Sequence, residues 1–205
     1  MFRRMCIQAG GLLATGILAG CGGGQYANTP YLGQDGQTQF LSSPTHEVVD
    51  TISYWDGSAD GGHPSITINL SEQRAYFYQG DKLAGVALVA TGKEGYDTPA
   101  GTFRIMEKIA DKRSDLYGYI VENGSGTVVN YDADIRKDSI PAGCHFEGAP
   151  MPYWMRITGG GIGMHQGPIP VPGSPASHGC IRMSRTVAAE FFAHAKVGMP
   201  VRIVY

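Results

Sequence analysis

From Ser65 onward the apolar residues of this chain fall at every second position, in short runs cut by turns rich in Gly, Asn, Asp and Pro. That period belongs to strands, whose successive side chains point to opposite faces; a helix needs a period of 3.6. Ile66, Ile68 and Leu70 alternate with Thr67 and Asn69. Ser71-Glu72-Gln73 turns into Arg74-Ala75-Tyr76-Phe77-Tyr78, and Gln79-Gly80-Asp81 turns again into residues 83–91. Three strands on such short turns predict an antiparallel meander. Thr98-Pro99-Ala100-Gly101 leads into Thr102-Phe103-Arg104-Ile105. Residues 117–122 and 127–131 flank Asn123-Gly124-Ser125-Gly126 as a hairpin, and residues 155–158 and 162–165 flank Gly159-Gly160-Gly161. With 30 Gly and 12 Pro among 205 residues, the composition argues against a helix bundle. One helix is predicted near the end: Ser184 caps it, Val187, Ala188, Phe191, Phe192 and Ala195 form its apolar stripe, and Gly198 stops it. Residues 201–204 follow as a strand. The expected fold is mainly β, one domain over residues 64–205 with a C-terminal helix.

The start of the chain reads as an address. Arg3 and Arg4 precede an apolar stretch of residues 6–19, too short to span a bilayer and of signal-peptide length. It ends in Leu18-Ala19-Gly20-Cys21, small residues followed at once by Cys, which resembles the bacterial lipobox. Residues 1–20 are therefore expected to be a lipoprotein signal peptide, with Cys21 lipidated and holding the protein to the periplasmic face of a membrane in the cell envelope. The Arg3-Arg4 pair fits a twin-arginine export signal poorly. Residues 21–44, poor in branched apolar side chains, are expected to be a flexible linker. In residues 45–63, Val48, Val49, Ile52 and Trp55 stand at helical spacing behind Thr45, so a short helical or extended lead-in is expected. A net charge of −2 gives no electrostatic footprint for nucleic acid.

With Cys6 removed and Cys21 lipidated, Cys144 and Cys180 remain for chemistry or pairing, and two thiols in an oxidising compartment often form a disulfide. Cys180 lies in Ser177-His178-Gly179-Cys180-Ile181-Arg182, between a Gly- and Pro-rich loop and the predicted helix. Gly179 allows a sharp turn just ahead of it. A thiol becomes a nucleophile when an imidazole or a fixed dipole stabilises its thiolate, and His165 and His178 are the imidazoles close in sequence. Backbone N–H groups of Gly179 and Cys180 could converge on an oxyanion. The competing readings are a buried or disulfide-bonded Cys180 and a zinc site from His165, His178 and Cys180. Cys144 reads best as an unpaired residue near the cleft. His46, His63, His145 and His194 have no partner at catalytic spacing, and the run Tyr76-Phe77-Tyr78 reads as strand packing. Lys93 and Arg104 could meet a substrate carboxylate or simply be solvated.

Met164-His165-Gln166-Gly167, followed by Pro175-Ala176-Ser177-His178-Gly179-Cys180-Ile181-Arg182-Met183, resembles the signature of the L,D-transpeptidase catalytic domain: a His, a loop, then Ser/Thr-His-Gly-Cys-x-Arg/Asn. Residues 66–70, Ala90-Thr91-Gly92-Lys93, Thr98-Pro99-Ala100-Gly101-Thr102-Phe103, Met151-Pro152-Tyr153-Trp154-Met155 and Gly198-Met199-Pro200-Val201 are similar to the family's other segments, in order. The resemblance implies a β-sandwich-like catalytic domain acting on peptidoglycan stem peptides as donor and acceptor, with no metal or organic cofactor. It makes Cys180, partly ionised near neutral pH, the nucleophile and His165 the base. It gives the backbone carbonyl of Gln166 the task of orienting the imidazole, although Gly, Ser or Ala is more usual there. His178, Gly179 and Cys180 would shape the oxyanion hole with support from Ser177, and Arg182 would brace the loop or meet a substrate carboxylate. The alternatives within this reading are an L,D-carboxypeptidase or endopeptidase and a non-enzymatic cell-wall-binding module.

Overall fold

The structure, a computed structural model, describes residues 31–32, 38–39, 50–57 and 61–205. The chain divides into two compact units after Ser43. In the first, β1 (Tyr31–Leu32) pairs antiparallel with β2 (Thr38–Gln39). The signal peptide, Cys21, most of the linker, His46 and the helical cap at Thr45 lie outside the described residues.

The second unit is mainly β with a single helix among its described residues. It begins with residues 50–57, where Asp50 Oδ1 accepts the N–H groups of Ile52 and Ser53 and turns the chain into β3 (Tyr54–Trp55). This segment is extended, and Trp55 meets Phe77 edge-on at 5.1 Å and Phe191 at 6.0 Å. The helical spacing of Ile52 and Trp55 therefore does not mark a helix: the chain here is a bent extended segment, and Trp55 packs against the core.

Strands β4 (Pro64–Asn69), β5 (Arg74–Gln79) and β6 (Lys82–Ala90) form the antiparallel meander that their alternation dictates, with Ile66 opposite Phe77 and Ala75 opposite Ala87. The later strands are β7 (Gly101–Arg104), β8 (Glu107–Glu122), β9 (Val128–Asp134), β10 (Cys144–Arg156), β11 (Gly163–Gln166) and β12 (Ile181–Met183). After them come α1 (Arg185–His194) and β13 (Pro200–Val204). Strand order is β7-β13-β4-β5-β6-β12-β11-β10-β8-β9, with β3 also on β6. Pairing is antiparallel except for β11 with β12 and β13 with β4. Both halves of this order feed one core: Ile66, Phe77 and Ile203 from one, Met155, Met164 and Ile181 from the other, joined by Phe191 of α1.

Ser184 Oγ accepts the Thr186 N–H at 3.3 Å and caps α1. The helix ends at His194 with Ala195 as its C-cap, earlier than Gly198 would stop it, and Lys108 of β8 donates to the carbonyls of Phe192 and Ala195 left open by that terminal turn. Gly198, at φ +87, instead turns the chain into β13.

Candidate active site

Cys180 stands one residue before β12, at the end of a turn held from behind. Gly179 adopts φ +107, a conformation open to glycine, and this reverses the chain just ahead of the thiol. The buried Ser177 Oγ accepts the Gly179 N–H at 3.0 Å and donates to the Cys180 carbonyl. The carbonyl of Thr91, the residue after β6, accepts the N–H groups of Ala176 and Ser177 at 2.9 and 3.0 Å. Thr91 is gripped in turn by Gln73, whose Oε1 accepts the Thr91 N–H at 2.8 Å and whose Nε2 donates to Thr91 Oγ1 at 2.7 Å and to the Leu70 carbonyl. Gln73 is 1% exposed and sits at φ +51, a costly conformation for a residue with a side chain, held here by those three bonds. Thr98, also buried, accepts the Gly92 N–H at 2.9 Å and donates to the Gly179 carbonyl at 2.8 Å.

The parallel pairing of β11 with β12 decides which side chains share a face. His165 lies opposite Arg182 and Met164 opposite Ile181, so Cys180 comes level with Gly163. Cys180, Arg182 and His165 thus project from one face, with Cys180 and His165 two residue steps apart, roughly 7 Å along the strands. The sulfur takes a hydrogen bond from the Gly163 N–H and lies 3.9 Å from the Gly161 carbonyl oxygen. His165 is 5% exposed, with Nδ1 2.7 Å from the Gln166 carbonyl. A carbonyl only accepts, so Nδ1 carries the hydrogen and Nε2 keeps its lone pair.

Burial holds the His165 imidazole down at about 4; the Gln166 carbonyl opposes this and the Arg182 charge adds to it. Burial also pushes the Cys180 thiol up, while the Gly163 N–H and Arg182 pull it back. These shifts correct the expectation of a partly ionised thiolate. Near neutrality both shifts favour the uncharged forms, a thiol at Cys180 and a neutral imidazole at His165.

His178 is clamped between two tyrosines. Its ring lies 4.4 Å from that of Tyr117 at 9°, and 4.6 Å from that of Tyr96 at 86°. The Tyr117 hydroxyl accepts from Arg136 Nη2 at 2.6 Å, and Lys137 Nζ lies 3.4 Å from the Tyr96 hydroxyl. Asp134 binds Arg136 through both carboxylate oxygens, at 2.8 Å from Nε and 2.7 Å from Nη2, which holds its carboxyl down at about 2. The end of β9 and the residues after it thereby fasten the β8–β9 hairpin against the His178 side of the turn that presents Cys180.

One expected role changes. The Gly179 N–H is consumed by Ser177 and is not free for an oxyanion, so Gly179 enters the site through its conformation and its carbonyl. Cys144 is free, as is Cys180; it lies opposite Glu122, five residues further along β8 than Tyr117. Arg182 is half-buried, with Nη1 3.5 Å from the Pro168 carbonyl, so it reaches the loop after β11. Lys93 Nζ lies over the Tyr96 ring at 5.5 Å, and Arg104 donates to the Gly198 carbonyl. His145 pairs with Asn123 and His194 with the Glu190 carbonyl, while His63 is exposed. Among the described residues no three His, Cys, Asp or Glu gather as a metal-ligand set, so His165, His178 and Cys180 do not form the zinc site considered above. Gln73, Tyr96 and Tyr117 belong to the site although their spacing carried no signal for it. Thr98 was visible only as part of a turn.

Comparison with known proteins places these observations. The profile of the L,D-transpeptidase catalytic domain (YkuD) matches residues 63–203. No curated protein matches. Three similar solved structures are an L,D-transpeptidase from Mycobacterium smegmatis (TM-score 0.53, 19% identity, 71% of this chain and 60% of that one), a Cys-to-Ser mutant of the Enterococcus faecium L,D-transpeptidase (0.51, 27%, 70% and 50%) and L,D-transpeptidase 3 from Mycobacterium tuberculosis with a faropenem-derived adduct (0.50, 20%, 71% and 61%). The chain spans from half to about three fifths of the length of these structures.

Proposed function

The chain belongs to the L,D-transpeptidase catalytic domain family, and from that premise we propose that it is a cell-envelope acyltransferase in which Cys180 takes a peptidoglycan stem peptide as a thioester and passes it to an amine. One observation carries this reading. A free thiol projects from the same face as an imidazole whose Nδ1 is held by a backbone carbonyl, which leaves Nε2 bare.

In the proposed cycle, the thiol proton passes to His165 Nε2 as sulfur bonds to the carbonyl carbon at the L-centre of a diaminopimelate, and the C=O π pair moves to oxygen. Collapse of that oxyanion breaks the C–N bond to the terminal D-alanine, whose nitrogen takes the proton from the His165 imidazolium. A second stem's amine then attacks the thioester and gives a proton to the same imidazole; the thiolate leaves and is reprotonated. Water in place of the amine would make the chain an L,D-carboxypeptidase or endopeptidase. Lipidation of Cys21 would hold the domain at the membrane's periplasmic face; the intact mass of detergent-extracted protein tests this, since a chain starting before Cys21 or lacking acyl groups removes the anchor.

Because a member of the fold carries a faropenem-derived adduct, a penem or carbapenem is the natural probe. The wild-type protein should gain one adduct on Cys180 and Cys180→Ala none. A tetrapeptide donor with an amine acceptor should then yield cross-linked dimer. An adduct on Cys144 alone, or cross-linking that survives Cys180→Ala, ends the proposal.

A further inference from the structure

We infer that Thr98 is a positioning residue for the oxyanion: by holding the Gly179 carbonyl it aims the Cys180 N–H into the cleft. The inference rests on Cys180 being the nucleophile. Thr98 is 4% exposed, and its hydroxyl has two partners. The Gly92 N–H can only donate, so Thr98 Oγ1 accepts there, and its one hydrogen is committed to the Gly179 carbonyl at 2.8 Å. That carbonyl and the Cys180 N–H belong to one trans peptide, where they point in opposite directions. Fixing the first against Thr98 therefore fixes the second away from it.

Something has to supply this hold, because Gly179 at φ +107 has no Cβ to resist rotation of the peptide that follows it. Ser177 restrains the turn differently. It takes the Gly179 N–H and the Cys180 carbonyl, groups on the peptides either side of the one Thr98 controls. With the Gly179 N–H consumed, the Cys180 N–H is the donor this turn has left for a tetrahedral oxyanion. A side chain 81 residues away sets its direction.

Two reagents separate this role from general support of the fold. A carbapenem acylates Cys180 through an oxyanion, whereas iodoacetamide is displaced at a saturated carbon and forms none. Thr98→Val replaces the hydroxyl by a methyl at nearly constant volume, and Thr98→Ser restores the hydroxyl. We expect Thr98→Val to slow carbapenem acylation by about 10- to 100-fold, to leave Cys180 alkylation within about twofold, and Thr98→Ser to recover most of the acylation rate. Should Thr98→Val not fold, Thr98→Ala is read with the same two reagents. Equal losses with both reagents, or an unchanged acylation rate, overturn the inference. Wild-type protein that iodoacetamide alkylates at Cys180 but a carbapenem does not acylate would overturn the nucleophile assignment itself, and this role with it.

Discussion

The imidazole of His178 lies flat on the phenol ring of Tyr117, 4.4 Å away and 9° from parallel, although the two sit 61 positions apart on different elements. The stack joins the β8–β9 hairpin to the turn that presents Cys180. Arg136 braces the phenol, its guanidinium 5.2 Å from the Tyr117 ring centroid and bonded to the hydroxyl.

Removing the ring should therefore loosen the hairpin and leave the thiol in place. An aromatic pair contributes about 0.5–1.5 kcal/mol beyond the area it buries, so Tyr117→Ala should lower carbapenem acylation roughly 2- to 12-fold. Tyr117→Phe keeps the stack, loses only the Arg136 bond, and should stay near wild type. Equal effects of the two variants in stopped-flow acylation would mean that the hydroxyl, and not the ring, matters.

The acid side of the pH profile should report His165. Its imidazole is held at about 4, so it remains a base through neutrality and is lost only as the pH falls towards that value. The acylation rate should accordingly lack a step near the ordinary imidazole value of 6.5. A rate that halves there would show that His165 is not so desolvated as its burial implies.

The same shift bears on stability. Between 6.5 and about 4 the unfolded chain binds a proton at this position and the folded one does not, so stability falls as pH drops across that window and is fully recovered above it. The loss should reach roughly 3 kcal/mol. Urea unfolding of wild type and His165→Gln at pH 7 and pH 4 measures it: the variant should lose less than wild type. A matching loss in both would assign the acid sensitivity to other groups.

Gln73 should matter to the fold as well as to the site. Gln73→Leu leaves the buried Thr91 N–H and hydroxyl without their partner and keeps the left-handed backbone. We expect a loss of about 3 kcal/mol in urea unfolding, with faster amide exchange at Ala176 and Ser177. Unchanged exchange at those two amides would uncouple Gln73 from the catalytic turn.

Gly92 should tolerate no side chain. An added Cβ would stand 1.8 Å from the Tyr96 carbonyl oxygen and 2.9 Å from the Thr98 nitrogen, both backbone atoms. Gly92→Ala should cost about 1–3 kcal/mol and take acylation down with it, as thermal unfolding and carbapenem labelling would show. Full labelling at wild-type rate would mean that this turn can shift without disturbing Cys180.

The meander was legible because Ile66, Ile68 and their partners alternate cleanly, and the helix because Ser184 and the apolar stripe agree. Two long stretches were not. The first half of β8 reads Glu107-Lys108-Ile109-Ala110-Asp111-Lys112-Arg113, polar on both faces, so period two leaves no trace there. Pro150 and Pro152 argue against β10, yet being two apart they face one edge, and that edge is open where they sit, since β11 pairs only with Met155 and Arg156. Within the site, His165 and Cys180 stand out as an imidazole and a thiol close in sequence, and Ser177 enters through the family resemblance. Thr98, Tyr96, Tyr117 and Gln73 reach the turn from strands and loops far away in sequence, through hydrogen bonds and ring contacts that local patterning does not encode. The protonation state of the thiol could not be read either, because it depends on burial that no motif encodes.

The slot that β13 fills, between β7 and β4, bears on how such a chain is made. Val201 pairs with Ile66 across 135 positions, and Val201 and Ile203 share the core with Met164 and Ile181 beneath the site. Contacts this distant form late. Until β13 has closed that slot, the strands around Cys180 lack this underpinning, and a chain caught at that stage would hold its sulfur on an unfinished support.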